Sequence, residues 1–253
     1  MLGRYHLLLA HEVLAAPAEY MKFWQNLPAP APFIIMDNSL IELGHPVSGK
    51  ELLTAADIVG AQVIVLPDVL GDRFGTYRVA AQAVEEIHQY IGPKPKLLGV
   101  AQGQTLVDIF SCGRDLVKQF GLDYISVPRH VVGRVGSRTR LTGWFCSLGK
   151  MVHLLGFSDN LFDDVNTAVQ HPVLGIDSAM PIWLGQAGIY VPKEIGRDWD
   201  AYLDDGTSRF GRPSDYATTT TVNDAVIENI KRVRGWLEVP IVGGAPIETS
   251  PGR

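Results

Sequence analysis

Short apolar runs alternate with longer amphipathic ones through the first two-thirds of the chain. The short runs predict strands at residues 4–10, 33–36, 63–68, 96–101, 124–128, 152–157 and 173–179, because each is a brief apolar stretch bounded by polar or turn-forming residues. Between them, helical spacing predicts helices at 15–27, 52–59, 76–90, 106–120, 141–150 and 161–170, and a last one at 222–237. In the 76–90 stretch Val79, Ala80, Ala83, Val84 and Ile87 share one face. Local chemistry sets several boundaries. Ser48 stands three residues before Glu51, the spacing of a capping box, and Gly121 is placed to end the 106–120 helix in a left-handed conformation. Pro28, Pro30 and Pro32 make a stiff connector between the first helix and the second strand.

Strands alternating with helices imply a parallel sheet with right-handed crossovers. Seven such units favour a (β/α)8 TIM barrel over an open doubly wound sheet. The eighth unit is irregular: Ile189-Tyr190-Val191 is a poor strand, residues 189–221 read as an inserted loop rich in Gly, Asp, Arg and Thr, and 239–253 reads as a loose tail. The expectation is one domain over 1–253, with no internal repeat.

Composition narrows the function classes. The net charge of −5 and a pI near 5.8 exclude a generally basic coat for nucleic acid but leave room for a local basic face. Cys112 and Cys146 are too few for a disulfide framework and lack the spacing of a metal site, so a reducing compartment and no metal are expected. The early apolar run Tyr5–Ala10 is too short to span a bilayer, and His11-Glu12 interrupts it. A soluble cytoplasmic protein that needs no cofactor and has no membrane partner is the simplest expectation.

In a parallel barrel the reacting groups come from the C-terminal ends of several strands. Here the apolar runs finish on Asp37, Asp68, Gln102, Arg129 and Asp177. Each acid taken singly is equally well a turn former or a helix cap. Together they place three carboxylates and an amide around one mouth. Close carboxylates separate in pKa, which suits acid/base work, and a buried amide reads a planar heterocycle with a donor and an acceptor at once. Guanine, with donors at N1 and its 2-amino group, is a base whose edge carboxylates can read.

At this point the residues resemble a known family. Asp177-Ser178-Ala179-Met180-Pro181, followed by Gly185-Gln186-Ala187-Gly188, resembles the nucleophile segment of tRNA-guanine transglycosylases. Met36-Asp37-Asn38-Ser39 with Glu42-Leu43-Gly44 resembles their acid/base segment, Leu66-Pro67-Asp68 their base-reading Asp, and Gly99-Val100-Ala101-Gln102-Gly103 their Gly-x-x-Gln-Gly motif. His153-Leu154-Leu155-Gly156 resembles the strand before the nucleophile. The matches keep their order over residues 33–188. The family's Cys-x-Cys-x-x-Cys zinc run is absent, and Asn38-Ser39-Leu40 stands where a double glycine is usual. A short chain without that zinc run is most similar to the phage and bacterial DNA-guanine transglycosylases, which place 7-deazaguanine bases in DNA.

The resemblance implies that Asp177 is the nucleophile, that Asp37 is the acid/base, and that Asp68 and Gln102 read the base. Asn38, Gly103, Ser126 and Met180 are further substrate-contact candidates. The implied partners are DNA, with tRNA as the alternative, and a 7-deazaguanine base; base exchange or hydrolysis on free nucleosides and a non-catalytic nucleic-acid-binding barrel are the other readings. The implied place is the cytoplasm, that of the host if the chain is phage-encoded. Arg129, His130, Arg134, Arg138 and Arg140 fall within twelve residues with no acid between them, and Arg129, Arg134, Arg138 and Arg140 are the expected phosphate contacts, unless this stretch is simply a solvated basic loop. Arg197, Arg209 and Arg212 in the insertion are a second, acid-diluted candidate. His6, His88 and His153 read as ordinary strand or helix residues.

Overall fold

The computed structural model describes residues 5–26, 32–157, 161–178, 180–186, 188, 190–191 and 224–238. They fall into two compact units, one of Met1–Asp159 with His171–Ser178, the other of Asn160–Gln170 with Ala179–Arg253.

The first unit is built on a parallel sheet of seven strands: β1 (Tyr5–Leu9), β2 (Phe33–Asp37), β3 (Val63–Val65), β4 (Lys96–Val100), β5 (Tyr124–Pro128), β6 (Met151–Leu155) and β7 (Val173–Ile176). Their order in the sheet is their order in the chain, and every neighbouring pair is parallel. A doubly wound sheet would reverse this order at a switch point. This one never does, and it curls as a partial TIM-like barrel. The expected eighth strand does not form at Tyr190 and Val191, which lie outside any strand, while Ile189 and almost all of the expected insertion and the tail lie outside the described residues.

Alternation along the strands sorts the side chains between two faces. Ile35, Val63, Val65, Leu98 and Val100 form a core cluster against which Leu7, Phe33, Tyr124, Leu155 and Leu174 pack. Asp37 continues the parity of Phe33 and Ile35, so the same face that holds the core delivers the acid at its C-terminal edge.

Helices cover the other face, and their ends follow the local signals. The capping box at Ser48 and Glu51 forms as expected and opens α4 (Gly49–Val59), after α1 (Ala10–Ala15), α2 (Pro17–Gln25) and the single turn α3 (Leu40–Leu43). The first predicted helix, 15–27, is α2, which starts at Pro17 because proline can open a helix but not continue one, and α1 before it was not expected. Asp72 caps α5 (Arg73–His88), one turn earlier than predicted. Thr105 and Asp108 box the start of α6 (Leu106–Phe120), and Gly121 ends it at φ 62°. The basic stretch after β5 is not a loop: a 3-10 turn (Arg129–Val131) runs into α7 (Val132–Val135), and α8 (Thr139–Ser147) begins inside the predicted loop.

The second unit holds α9 (Leu161–Gln170), α10 (Met180–Gln186) and α11 (Asp224–Glu238). The helix α10 was not expected from the sequence, being too short for periodicity to show. Gly185 lets it approach α11 closely, because a Cβ there would lie 2.5 Å from the Val226 backbone. Asn229 ties the unit together by donating to the Pro181 carbonyl and accepting from Val191 N–H. Among the described residues no helix is long and apolar enough to cross a membrane.

Candidate active site

Asp37 closes β2 opposite Leu9 and is 9% exposed. The chain then turns sharply through Ser39, which has φ 60°, the left-handed region that a side chain rarely adopts. That conformation is one glycine adopts without strain, and Ser39 holds it with two hydrogen bonds. Its N–H donates to Asp37 Oδ2 at 2.8 Å, and its Oγ accepts from His11 N–H at 3.2 Å. Burial pushes Asp37 up to about 7; the Ser39 N–H opposes the rise, and Glu42, Asp177 and Asp68 add to it. Asp68 and Asp177 both act on Asp37 through their charge, so the three predicted carboxylates lie close enough to influence one another.

Asp68 and Gln102 lie deeper, at 3% and 0% exposure. Asn38 Nδ2 donates to Asp68 Oδ1 at 2.8 Å, and Gln102 Nε2 donates to Asp68 Oδ2 at 2.6 Å. The far end of the Gln102 amide, Oε1, accepts from Gly71 N–H at 2.9 Å, so His130 Nε2, 2.8 Å from the same oxygen, is a donor as well. A chain of four polar side chains, Asn38, Asp68, Gln102 and His130, thus has its direction fixed by backbone groups that can only donate or only accept. Burial pushes Asp68 up to about 6 against the pull of its two donors, and burial beside Arg134 and Arg129 pushes His130 down to about 4. Gly103 is required by packing: a Cβ there would meet Asp108 Cβ at 2.5 Å and Ile109 N at 2.8 Å, in the first turn of α6.

Asp177 follows β7 directly, and a register slip aims it. Val152 pairs with Val173 but His153 pairs with Gly175, so β7 carries one extra residue. Carried on by two residues, the shifted register sets Asp177 against Leu155, which faces the core, rather than against Gly156. Asp177 Oδ1 accepts from His153 Nε2 at 2.9 Å and from Gly156 N–H at 3.1 Å. No hydrogen bond falls on Oδ2 among the described residues, and the side chain is 22% exposed. His153 itself is fully buried.

The other predicted residues distribute as follows. Ser126 is wholly buried, in register with His153, with no hydrogen-bond partner for its Oγ among the described residues. Met180 opens α10 in the second unit, and its side chain lies outside the described residues. Arg129, Arg134 and Arg140 are exposed, with the stem of Arg129 against Gly156 and Arg134 Nη1 donating to the Gly103 carbonyl at 3.0 Å. Arg138 does not fit its expected role as a phosphate contact. It is fully buried and donates to the carbonyls of Val127 and Leu155, stapling the ends of β5 and β6.

Two participants escaped the sequence reading, His153 and His130. A lone histidine in an apolar strand or a basic stretch gives no signal by itself; the signal was positional, since each follows or precedes a strand end beside a predicted polar residue. No protein-family model matches the chain, and no curated protein matches it either. The functional reading therefore rests on the residues themselves.

Proposed function

We propose that this chain is a base-exchange glycosyltransferase that replaces guanine in a nucleic acid by a 7-deazaguanine base such as 7-cyano-7-deazaguanine. DNA is the preferred polymer and tRNA the alternative. The observation that carries the reading is a pair of carboxylates in opposite surroundings: Asp177, partly open with Oδ2 uncommitted, and Asp37, buried with a pKa of about 7. The ordered motif resemblance selects the reaction from those such a pair can perform.

In the first half, Asp177 Oδ2 attacks C1′ of the target nucleotide. The C1′–N bond breaks, its electron pair leaves with guanine, and Asp37 supplies the proton that neutralises it. In the second half the incoming base loses a proton to Asp37 and attacks C1′, and the ester C–O bond breaks to restore the Asp177 carboxylate. Two displacements retain configuration. Asp68 and Gln102 read the base, which must leave its stack and enter a mouth that opens to admit it. Arg129, Arg134 and Arg140 supply phosphate contacts at the rim. The reading carries with it a closed (β/α)8 barrel and a cytoplasmic setting.

The test is incubation with duplex DNA, single-stranded DNA or tRNA and an isotope-labelled 7-deazaguanine base, followed by nucleoside mass spectrometry. Label enters one of the polymers with the native chain and none with Asp177→Ala. Absence of label from all three polymers overturns the proposal.

A further inference from the structure

The two donors on Asp177 fall on the same oxygen. Gly156 N–H can only donate, so Oδ1 is an acceptor, and with the carboxylate ionised the 2.9 Å contact requires the proton of the pair to sit on His153 Nε2. The imidazole is fully buried on β6, the strand that pairs with β7, so its position is set by the sheet and its packing. The backbone donor of Gly156 comes from the turn that ends the same strand, where Gly156 has φ 71°. Oδ2 is thereby the atom left to form a bond.

Donors on the spectator oxygen do not act equally on the two halves of a double displacement. Before the first half the carboxylate carries its full charge, and in an oxocarbenium-like transition state it still carries most of it, so hydrogen bonds to Oδ1 stabilise both states nearly alike. The glycosyl ester that follows is neutral at that carboxyl group. As the ester C–O bond breaks in the second half, its electron pair returns to the carboxylate and charge reappears at Oδ1, where the donors are already aimed.

We infer that His153 is a positioning residue for breakdown of the intermediate: through Asp177 Oδ1 it makes the carboxylate a good leaving group while contributing little to its attack. The inference rests on the base-exchange reading and deepens it. It also gives a reason for the buried histidine, since an apolar residue would pack in a strand at least as well.

The experiment is rapid-quench kinetics with a labelled oligonucleotide containing the target guanine, following the protein–DNA adduct on denaturing gels, first without and then with an incoming 7-deazaguanine base. His153→Met, which removes the donor, is expected to form adduct within about threefold of the native rate. Its breakdown should slow ten- to hundredfold, about the effect of one hydrogen bond to a charged group, so that adduct accumulates. His153→Gln, which keeps a donor, should restore breakdown to within about fivefold. Equal loss in both halves, or no change in either, overturns the inference and leaves the base-exchange reading intact. If His153→Met fails to fold by circular dichroism, His153→Leu takes its place: breakdown slowed with formation unchanged supports the role, and a parallel decline or no change in either half overturns it. No adduct from the native chain removes the base-exchange reading and the inference with it.

Discussion

Asp37 and Asp177 are the same functional group given different tasks by what surrounds them. Asp37 has lost water and lies near three other acids, Glu42, Asp177 and Asp68, so its proton is held until about pH 7. In the proposed reaction only the protonated form can neutralise departing guanine. Adduct formation in a single turnover is therefore expected to fall about tenfold per pH unit above 7, as Asp37 ionises. In Asp37→Asn the same step should slow by about a hundredfold or more and lose that pH dependence, read by the same gel assay from pH 5.5 to 9. A native rate that is flat across this range would assign the acid role elsewhere. Ser39 shows at this scale how a residue can replace a glycine, since its strained φ is held by hydrogen bonds from its own N–H and to its own hydroxyl.

At the scale of elements, the strand ends and the helix caps were legible because each is announced by a few neighbouring residues. Ser48 with Glu51, and the apolar runs that stop on Asp37, Asp68, Gln102 and Asp177, needed no tertiary information. What was not legible is pairing across the sheet. The slip between β6 and β7 that turns Asp177 inward depends on two strands at once, and no single run of sequence encodes it. Arg138 misled for a related reason: a basic residue in a basic stretch reads as solvated until the carbonyls of β5 and β6 are seen to receive it. The same logic makes Gly103 an element-scale residue. Gly103→Ala forces the first turn of α6 away from β4 and is expected to cost about 1–3 kcal/mol in urea denaturation while lowering base exchange through Gln102. Gly133→Ala, with nothing within 4 Å of the added carbon, should leave both nearly unchanged.

For the whole molecule, the buried acids set how stability responds to pH. Asp37 and Asp68 are raised from 3.8 to about 7 and about 6, so the folded chain holds more protons than the unfolded one between those limits. Their contribution is fully present below the unfolded value and is lost as pH rises through the folded ones. His130 runs the other way: lowered from 6.5 to about 4, its contribution is present above 6.5 and is lost as pH falls toward 4. Above pH 6.5 only the acids remain in play among these three. The stability of Asp37→Asn relative to the native chain is expected to rise by about 3 kcal/mol between pH 5 and pH 8 in urea denaturation. A constant difference would mean that Asp37 is not the group held protonated. One further consequence belongs to the exit of the first strand. His11 N–H grips the Ser39 hydroxyl, and the Ser39 N–H grips the Asp37 carboxyl, so two hydrogen bonds link the first turn of α1, just after β1, to Asp37. In the proposed reaction the junction of β1 and α1 is thus a mechanical input, and a fusion or trimming that shifts it reaches Asp37 without touching Asp68, Gln102 or Asp177.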